Sequence, residues 1–322
     1  MFLSMSLRMR VEVEALNMVE AMGAYSRHRT VSILKPRGDG KGYRLVIAPA
    51  VSGQAIAYGY MKSLVELALR KGLPVCDQCR NYEVRGGFVK HGTDTKADLE
   101  ALVKGCVVED ITGFVVAEAN IRRTSPIQFS YMVPDIDSSD VSIEPQFHVR
   151  APMPGQKPQP FQVESGTAVY VLGIALDIDK IGVVPGADGK PKKVVDNRVD
   201  RIKLAIQAIA NLIEGLNFGA KKARYLPIYD VVGGVAAISH PVQFIVSPAR
   251  ISKDSNYISR TIARATNYVK LFDNEQITII YMDKEGLAVD AQPQGNVNVV
   301  KVGEVSEMLS KVLEIVEKSV RD

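Results

Sequence analysis

The residues of this chain best suited to holding a charged ligand are arginines, lysines and histidines that gather in short segments. Arg27, His28 and Arg29 are consecutive, and residues 26–44 contain six lysines and arginines against one acid, Asp39. Such cations bind phosphate, and a histidine beside them could act as the base of a ribonuclease or contact a nucleic-acid backbone. The alternative for each single segment is a solvated loop, because dispersed charges form one basic face only if the fold brings them together.

A second basic segment, Asn217–Pro227, combines three features that suit a nucleic acid. Gly219 would let a ligand approach the backbone closely, three cations occupy the next few positions, and Tyr225 could stack on a base. The cations are Lys221, Lys222 and Arg224. The alternative is the end of a helix followed by a solvated basic loop.

A second histidine beside arginine lies in the segment Gln146–Arg150. His148 could act as a base or contact a phosphate, and the alternative is a strand histidine whose hydrogen bonds are satisfied locally. Arg122 and Arg123 form a further pair of cations, for which the alternative is again a solvated loop.

Ser52, Gly53 and Gln54 stand where the apolar periodicity of a helix begins. The free backbone N–H groups at a helix start can hold a phosphate. The alternative is that Ser52 is a simple N-cap, and taken alone this interpretation is preferred.

The cysteines offer a possible metal site. Cys76 and Cys79 form a C-x-x-C pair, and His91 and Cys106 follow. Three thiolates and an imidazole are a suitable set of zinc ligands. However, zinc sites of this kind usually combine two paired motifs, and this chain has a single C-x-x-C pair. We therefore favour the alternative of two loop thiols and one buried cysteine. The sequence also lacks phosphate-loop, dinucleotide-binding and zinc-protease motifs, so we predict no metal and no cofactor.

Composition places the chain among ordinary globular proteins. It has 322 residues, 46% of them hydrophobic, and a formal net charge of +4. This excludes disordered, collagenous and disulfide-rich classes and predicts two domains, or one domain with large insertions. The longest apolar runs, Val169–Leu176 and Val231–Ile238, are much shorter than the ~18 residues that span a bilayer. We therefore expect no membrane segment, and with no signal-peptide pattern we expect a cytoplasmic protein.

Hydrophobic periodicity predicts the elements that must position these residues. Leu7–Ala15 alternates as a half-buried strand, Thr167–Ile178 has the continuous apolar character of a central strand, and Val195–Leu216 is strongly periodic as a helix. Another helix starts at Ser52 and ends before Gly72 and Pro74. Leu45–Pro49 is a second short apolar run. Further strands are predicted at Tyr229–Ile238, Val242–Val246 and Gln276–Met282, further helices at Ser255–Val269 and Val305–Val320, and a hairpin within residues 120–160.

One sheet with two main helices predicts an α+β sandwich of the ferredoxin-like or RRM-like kind. The ordered segments also resemble a known family, the DevR/Csa-type branch of the Cas-seven superfamily, which forms the backbone subunit of archaeal type I-A CRISPR interference (Cascade) complexes. The resemblance reaches from the first strand to about Tyr257 and does not include Cys76–Asp98. It rests on Val13–Thr30, Pro49–Tyr60, Arg122–Met132, Gln146–Arg150 and Phe218–Pro227.

The resemblance implies a modified RRM/ferredoxin-like core with large insertions, arranged as palm, fingers and thumb. Residues 1–72 would form the first part of the core, with a strand, a basic loop and a helix. Residues 73–163 would form the inserted finger or thumb region. Residues 164–322 would complete the core with the Gly-rich basic loop and the C-terminal helix. The sheet carries no aromatic RNP pattern, so base stacking on it is not predicted.

The resemblance further implies a non-catalytic subunit that polymerises along guide RNA (crRNA) and presents it for pairing with target DNA. Its partners would be the single-stranded RNA backbone, the target DNA through the guide, other Cascade subunits and further copies of itself. Ala220 stands where the family leads us to expect a glycine. The implied RNA-binding residues are Arg27, His28, Arg29, Ser52, Gly53, Gln54, Arg122, Arg123, His148, Arg150, Lys221, Lys222 and Arg224.

Two other functions stay open from the sequence. One is an endoribonuclease that processes CRISPR RNA with His28 or His148 as base and a neighbouring arginine to stabilise the transition state. The other is a DNA-binding regulator, although no helix-turn-helix can be identified. We favour the non-catalytic subunit because no paired acid and base residues are evident in the sequence.

Overall fold

A computed structural model describes residues 1–22, 24–90, 98–155, 157–252, 255–272 and 275–321. The helices are α1 (Gly53–Arg70), α2 (Asp77–Arg80), α3 (Leu99–Gly105), α4 (Val107–Thr112), α5 (Arg198–Glu214), α6 (Tyr257–Tyr268) and α7 (Val305–Arg321). The strands are β1 (Phe2–Glu14), β2 (Met18–Met22), β3 (Tyr25–His28), β4 (Thr30–Pro36), β5 (Tyr43–Pro49), β6 (Phe114–Val116), β7 (Ile121–Arg123), β8 (Ile127–Phe129), β9 (Val133–Pro134), β10 (Ser142–Arg150), β11 (Gln159–Asp177), β12 (Val183–Pro185), β13 (Pro191–Lys193), β14 (Ile228–His240), β15 (Ile251–Ser252), β16 (Ser255–Asn256), β17 (Gln276–Asp283) and β18 (Val297–Val302).

A mixed α/β fold is built around one large sheet. Its order is β18-β17-β14-β1-β11-β3-β2, and β8, β9 and β10 also pair with β11. The central strand β1 is antiparallel to both β11 and β14, from Phe2 opposite Asp177 to Glu14 opposite Gly166 on the β11 side. Between β1 and β8 the chain passes through α1, and between β11 and β14 it passes through α5.

Helices cover both faces of the sheet, which explains why its central strands are apolar on both sides. Helices α1, α5 and α7 pack on one face, where Ala236 and Ile280 belong to the larger core. Helix α6 packs on the other face against Val235, Ala237 and Ile279. Side chains alternate along a strand, so burial on both faces removes the alternation of polar and apolar residues that a half-exposed strand shows.

Most predicted elements are confirmed by the structure, with β1, α1, β11, α5, β14, α6, β17 and α7 close to their expected places. The strand predicted at Val242–Val246 is wrong, because these residues have no regular structure. Phe244 and Val246 are apolar because they are buried in the α6 core, and the Ser239 hydroxyl accepts the N–H of Phe244 at 3.0 Å. Apolarity here reflects burial and not strand pairing.

Two regions differ from the expected organisation. The basic stretch 26–44 is not a loop, because β4 and β5 form a hairpin within it and β3 pairs with β11. The segment 73–163, expected as an insertion, supplies β8 and β9 to the main sheet, and β10 extends β11 as one long hairpin. Within the described residues, no helix combines the length and apolarity needed to cross a membrane.

Candidate nucleic-acid interface

Two of the predicted basic segments and the predicted helix start meet at Leu16 and Asn17, the two residues that we call the Leu16–Asn17 junction. The backbone oxygen of Asn17 accepts the N–H of Arg29 at 2.8 Å, and its side-chain Oδ1 accepts the N–H of Ser52 at 2.8 Å. The backbone oxygen of Leu16 accepts the N–H of Ala220 at 2.8 Å. The structure therefore places the loops around residues 28, 53 and 222 on one side of the molecule.

Two glycines allow this close assembly. Gly219 has φ +82°, and a Cβ there would lie 2.6 Å from Leu16 Cδ2. A Cβ on Gly59, in the middle of α1, would lie only 2.2 Å from the backbone oxygen of Asn217. The basic loop after α5 thus contacts both the end of β1 and the body of α1 without room for a side chain between them.

We expect Gly59→Ala to destabilise the protein by about 1–3 kcal/mol, because its methyl group would overlap the backbone oxygen of Asn217. Chemical denaturation followed by circular dichroism would measure the change in free energy of unfolding. The matched control is Gly105→Ala, also in a helix, where an added Cβ meets no atom within 4 Å. Equal stability of the two variants would contradict the packing described here.

The lysines of the basic loop differ in their surroundings. Lys221 is exposed, and its Nζ donates to the Ser26 hydroxyl at 3.2 Å, which joins the loop to β3. The Nζ of Lys222 donates to the backbone oxygen of Leu216 at 2.5 Å, near the end of α5. Partial burial lowers the pKa of Lys222, and the positive charge of Lys62 lowers it further. Lys222 therefore stabilises the end of α5 and also adds charge to the surface.

Sequence reasoning missed Lys62, which the structure brings close to Lys222. Gln54, Tyr58 and Lys62 are exposed at four-residue spacing on one face of α1. That spacing was the available signal, because Lys62 belongs to no basic cluster along the sequence.

His148 joins the same surface from the β10–β11 hairpin. Its Nε2 lies 2.5 Å from the Tyr225 hydroxyl, and its ring stacks on Phe161 at a centroid distance of 5.1 Å. These rings line a cavity of about 280 Å³ together with Lys221 and Arg224. Arg150 is exposed two residues further along β10, on the same face as His148.

His28 does not reach this surface, which corrects the expectation that it contacts a nucleic acid or acts as a base. Its side chain is fully buried, with Nε2 2.6 Å from Glu14 Oε1 and Nδ1 2.8 Å from the backbone oxygen of Arg29. Burial opposes the charged ring, but Glu14, the backbone oxygen of Arg29 and Glu164 outweigh it, so the pKa of His28 is raised. The pair anchors β3 to the end of β1.

The raised pKa makes the stability of this region depend on pH. A raised folded-state pKa gives a stabilisation that is complete below the ordinary value of 6.5 and is lost as pH rises through the folded-state value. We expect His28→Gln to lower the melting temperature more at pH 6 than at pH 9, as measured by differential scanning fluorimetry. Equal losses at both pH values would contradict a charged His28–Glu14 pair.

Ser52 and Gly53 have structural roles at the start of α1, where the sequence predicts a phosphate site. The Ser52 hydroxyl accepts the N–H of Ala55 at 3.2 Å as the N-cap of α1. A Cβ on Gly53 would lie 2.8 Å from the backbone oxygen of Phe129 in β8, so glycine is required by packing. Gln54 is exposed and stays available at this helix start.

Arg123 is also a structural residue. Its guanidinium forms an ion pair with the fully buried Asp110 and donates to the backbone oxygens of Val183 at 2.9 Å and Lys180 at 2.7 Å. These partners satisfy the charge inside the protein, so the prediction that Arg123 contacts RNA is corrected.

The neighbouring Arg122 lies far from the Leu16–Asn17 junction. It lines a cavity of about 890 Å³ together with Asp177, which pairs with Phe2 at the start of β1. The junction follows the other end of this strand of 13 residues, and a strand of that length extends about 40 Å. Arg122 is therefore separated from the converging basic segments.

Three of the four zinc ligands considered from the sequence lie within the described residues. Cys76, Cys79 and Cys106 lie together, with all three Sγ atoms within 4.8 Å of one another. The fourth predicted ligand, His91, lies outside the described residues.

The cations that remain on the converging segments form one exposed or half-exposed surface with Gln54, Lys62, His148 and Arg150, and we call it the basic surface. Arg29 contributes an Nε–H that is buried and has no hydrogen-bond acceptor among the described residues. A buried donor of this kind is usually satisfied by a ligand or by water. The basic surface comprises Arg27, Arg29, Gln54, Lys62, His148, Arg150, Lys221, Lys222 and Arg224.

Known proteins resemble this chain over most of its length. The family model described as "CRISPR-associated negative auto-regulator DevR/Csa2" matches residues 5–262. In Saccharolobus solfataricus, "CRISPR-associated protein Cas7/Csa2 1" is 33% identical, with 92% of this chain and 95% of the relative covered. "CRISPR-associated aCascade subunit Cas7/Csa2 2" of the same organism is 32% identical, with 89% and 94% covered.

Solved structures have folds similar to the fold of this chain. A chain of a "CRISPR RNA-guided surveillance complex" has a TM-score of 0.53 and 11% sequence identity, with 98% of this chain and 100% of that chain covered. A chain of a complex described as "pre-nicking" has a TM-score of 0.52. The family resemblance predicted from the sequence is confirmed by the match of the family model over most of the chain and by relatives above 30% identity. This chain therefore belongs to the DevR/Csa2 family of CRISPR-associated proteins.

Proposed function

We propose that this protein is a non-catalytic subunit that holds the sugar-phosphate backbone of a single-stranded guide RNA on its basic surface. The observation that carries the proposal is the convergence of two basic segments and the start of α1 at the Leu16–Asn17 junction. Backbone contacts of this kind give affinity without reading sequence, because every nucleotide carries the same phosphate. The buried donor of Arg29 and the exposed cations around it suit a phosphate.

The relatives and structural neighbours support a role within a larger complex. One relative is named as an aCascade subunit, and the structural neighbours are chains of RNA-guided surveillance complexes. We propose that this chain is likewise the backbone subunit of a type I-A Cascade complex, with copies that polymerise along crRNA and present it to target DNA. The antiparallel strands β14, β1, β11 and β8, together with α1 and α5, would supply the RRM-like core.

The geometry favours this role over an endoribonuclease. A base needs access to the ribose hydroxyl, and burial of His28 against Glu14 denies that access in this conformation. His148 is left as the candidate, with its Nε2 in contact with the Tyr225 hydroxyl. We infer that His148 helps to hold the basic loop against the β10–β11 hairpin, and that RNA bound here stays intact.

Assembly on RNA tests the proposal. The purified full-length chain is mixed with single-stranded RNAs of increasing length, and the mass of the complexes is measured by size-exclusion chromatography with light scattering. We expect the number of chains per RNA to rise in steps with RNA length while the RNA remains uncut. One bound chain at every length, RNA cleavage abolished by His148→Ala, or a sequence-specific footprint on duplex DNA would each overturn the proposal.

A further inference from the structure

All three cysteines of the chain lie close together beneath α1. None of them belongs to the basic surface. Cys76 is the N-cap of α2, Cys79 lies within α2, and Cys106 lies between α3 and α4. Cys79 and Cys106 are fully buried, and Cys76 is half-buried. Their Sγ atoms all lie within 4.8 Å of one another, although Cys106 is distant in sequence from the C-x-x-C pair.

The spacing of these sulfur atoms is close to what a zinc ion requires. Tetrahedral Zn²⁺ with Zn–S bonds of about 2.3 Å holds its sulfur ligands about 3.8 Å apart. A contraction of about 1 Å or less would therefore bring the three sulfurs to ligand distance. The N–H of Cys79 also donates to Sγ of Cys76 at 3.4 Å, and a hydrogen bond of this kind orients a thiolate and supports its negative charge.

Lys90 supplies a cation at the end of α4, the helix that begins directly after Cys106. Zn²⁺ with three thiolates has a net charge of −1, which is costly to bury without a partner. The Nζ of Lys90 donates to the backbone oxygen of Thr112 at 3.1 Å and also to that of Gly113. Burial lowers the pKa of Lys90, and the carboxylate of Glu109 acts in the opposite direction.

The number of sulfurs distinguishes a metal site from a redox pair. A disulfide joins two sulfurs at about 2.05 Å and would leave the third cysteine of this cluster without a function. Three converging thiols, two of them from one C-x-x-C turn, supply three of the four ligands of a structural zinc site.

We propose that Cys76, Cys79 and Cys106 bind one structural Zn²⁺ ion as thiolates, with the fourth position taken by a further donor. Binding forms three Zn–S bonds, releases the thiol protons to solvent and changes no oxidation state. The ion ties the irregular segment around α2 to α4, which itself packs on α1. Residues 81–90 have no helix or strand, so a metal crosslink would fix their path on the protein surface.

The full chain, purified from zinc-supplemented medium without chelators, provides the direct test. We expect about one zinc ion per chain by inductively coupled plasma mass spectrometry. X-ray absorption at the zinc edge should find three sulfur ligands at about 2.3 Å. Stripping the metal with a strong chelator should expose three reactive thiols and lower the melting temperature, and added Zn²⁺ should restore both.

Two variants distinguish the loss of the zinc ligands from general damage to the fold. Cys106→Ser should lose the zinc, whereas Asp77→Asn, a change between the C-x-x-C cysteines that removes no thiol, should keep it. If Cys106→Ser fails to fold, the measurements on the unaltered chain still decide. Less than about a tenth of an equivalent of zinc after reconstitution, a disulfide among the three cysteines, or a zinc ion without sulfur ligands would overturn the proposal.

Discussion

Replacing Lys221 and Arg224 together by alanine is expected to weaken binding of single-stranded RNA by about a hundredfold. Both side chains lie on the basic surface around the 280 Å³ cavity. A hydrogen bond to a charged group contributes about 1.5–3 kcal/mol, which corresponds to about tenfold or more in affinity for each contact. Fluorescence anisotropy with a labelled RNA would measure the change.

The salt dependence of the same experiment identifies the mechanism. A protein that neutralises phosphates of a single strand loses affinity with a log–log slope of about −0.7 per phosphate. The double variant should therefore show a slope that is less steep by about 1.4, with the same effect on RNAs of different sequence. The matched control is Lys311→Ala with Lys318→Ala, which removes the same charge from α7, where both lysines pair with Glu314. An equal loss in the control would show that net charge alone attracts RNA.

The largest effect on stability is expected from Asp110→Ala, at about 3–5 kcal/mol. Asp110 is fully buried and pairs with Arg123 and with Arg201, whose Nη1 lies 2.9 Å from Asp110 Oδ2. It also accepts the N–H of Gly182 at 3.0 Å. Removal of the carboxylate would leave two buried guanidinium groups without their counter-charge, although both retain hydrogen bonds to backbone oxygens.

Urea denaturation compares the stability of this variant with that of a variant that removes an exposed ion pair. Glu66→Gln removes the partner of Arg70 on the surface of α1, and exposed pairs of this kind contribute little to stability. We expect a large fall in the urea midpoint for Asp110→Ala and almost none for Glu66→Gln. If the free energy of unfolding of Asp110→Ala falls by less than about 1 kcal/mol, a structural role for Arg123 is contradicted. Arg123 would then again be a candidate for contact with RNA.

The parts of the fold that could be predicted are those in which local pattern and burial agree. The periodicity of α5 and the N-cap of α1 by Ser52 are local properties, and the structure confirms both. The pairing of β4 with β5 was missed because β4 has no buried side chain and leaves Leu34 exposed. A strand without a buried face carries no core signal in its sequence.

The site was predictable only as a set of segments, because the fate of each side chain depends on distant residues. His28 and Arg123 both lie among cations in the sequence, yet Glu14 binds the first and Asp110 the second. Lys62 joins the basic surface from an unremarkable helix position. Local composition identifies cations, whereas long-range pairing decides which of them reach solvent.

Photo-crosslinking of RNA that contains 4-thiouridine, followed by mass spectrometry of the crosslinked peptides, tests the central claim most directly. The account predicts crosslinks within residues 25–29, 54–62, 148–150 and 217–225, all from one bound strand. It predicts none at Arg122 and Arg123, which lie near the opposite end of β1. Crosslinks concentrated at those two arginines or on α7, with the converging segments unlabelled, would contradict it.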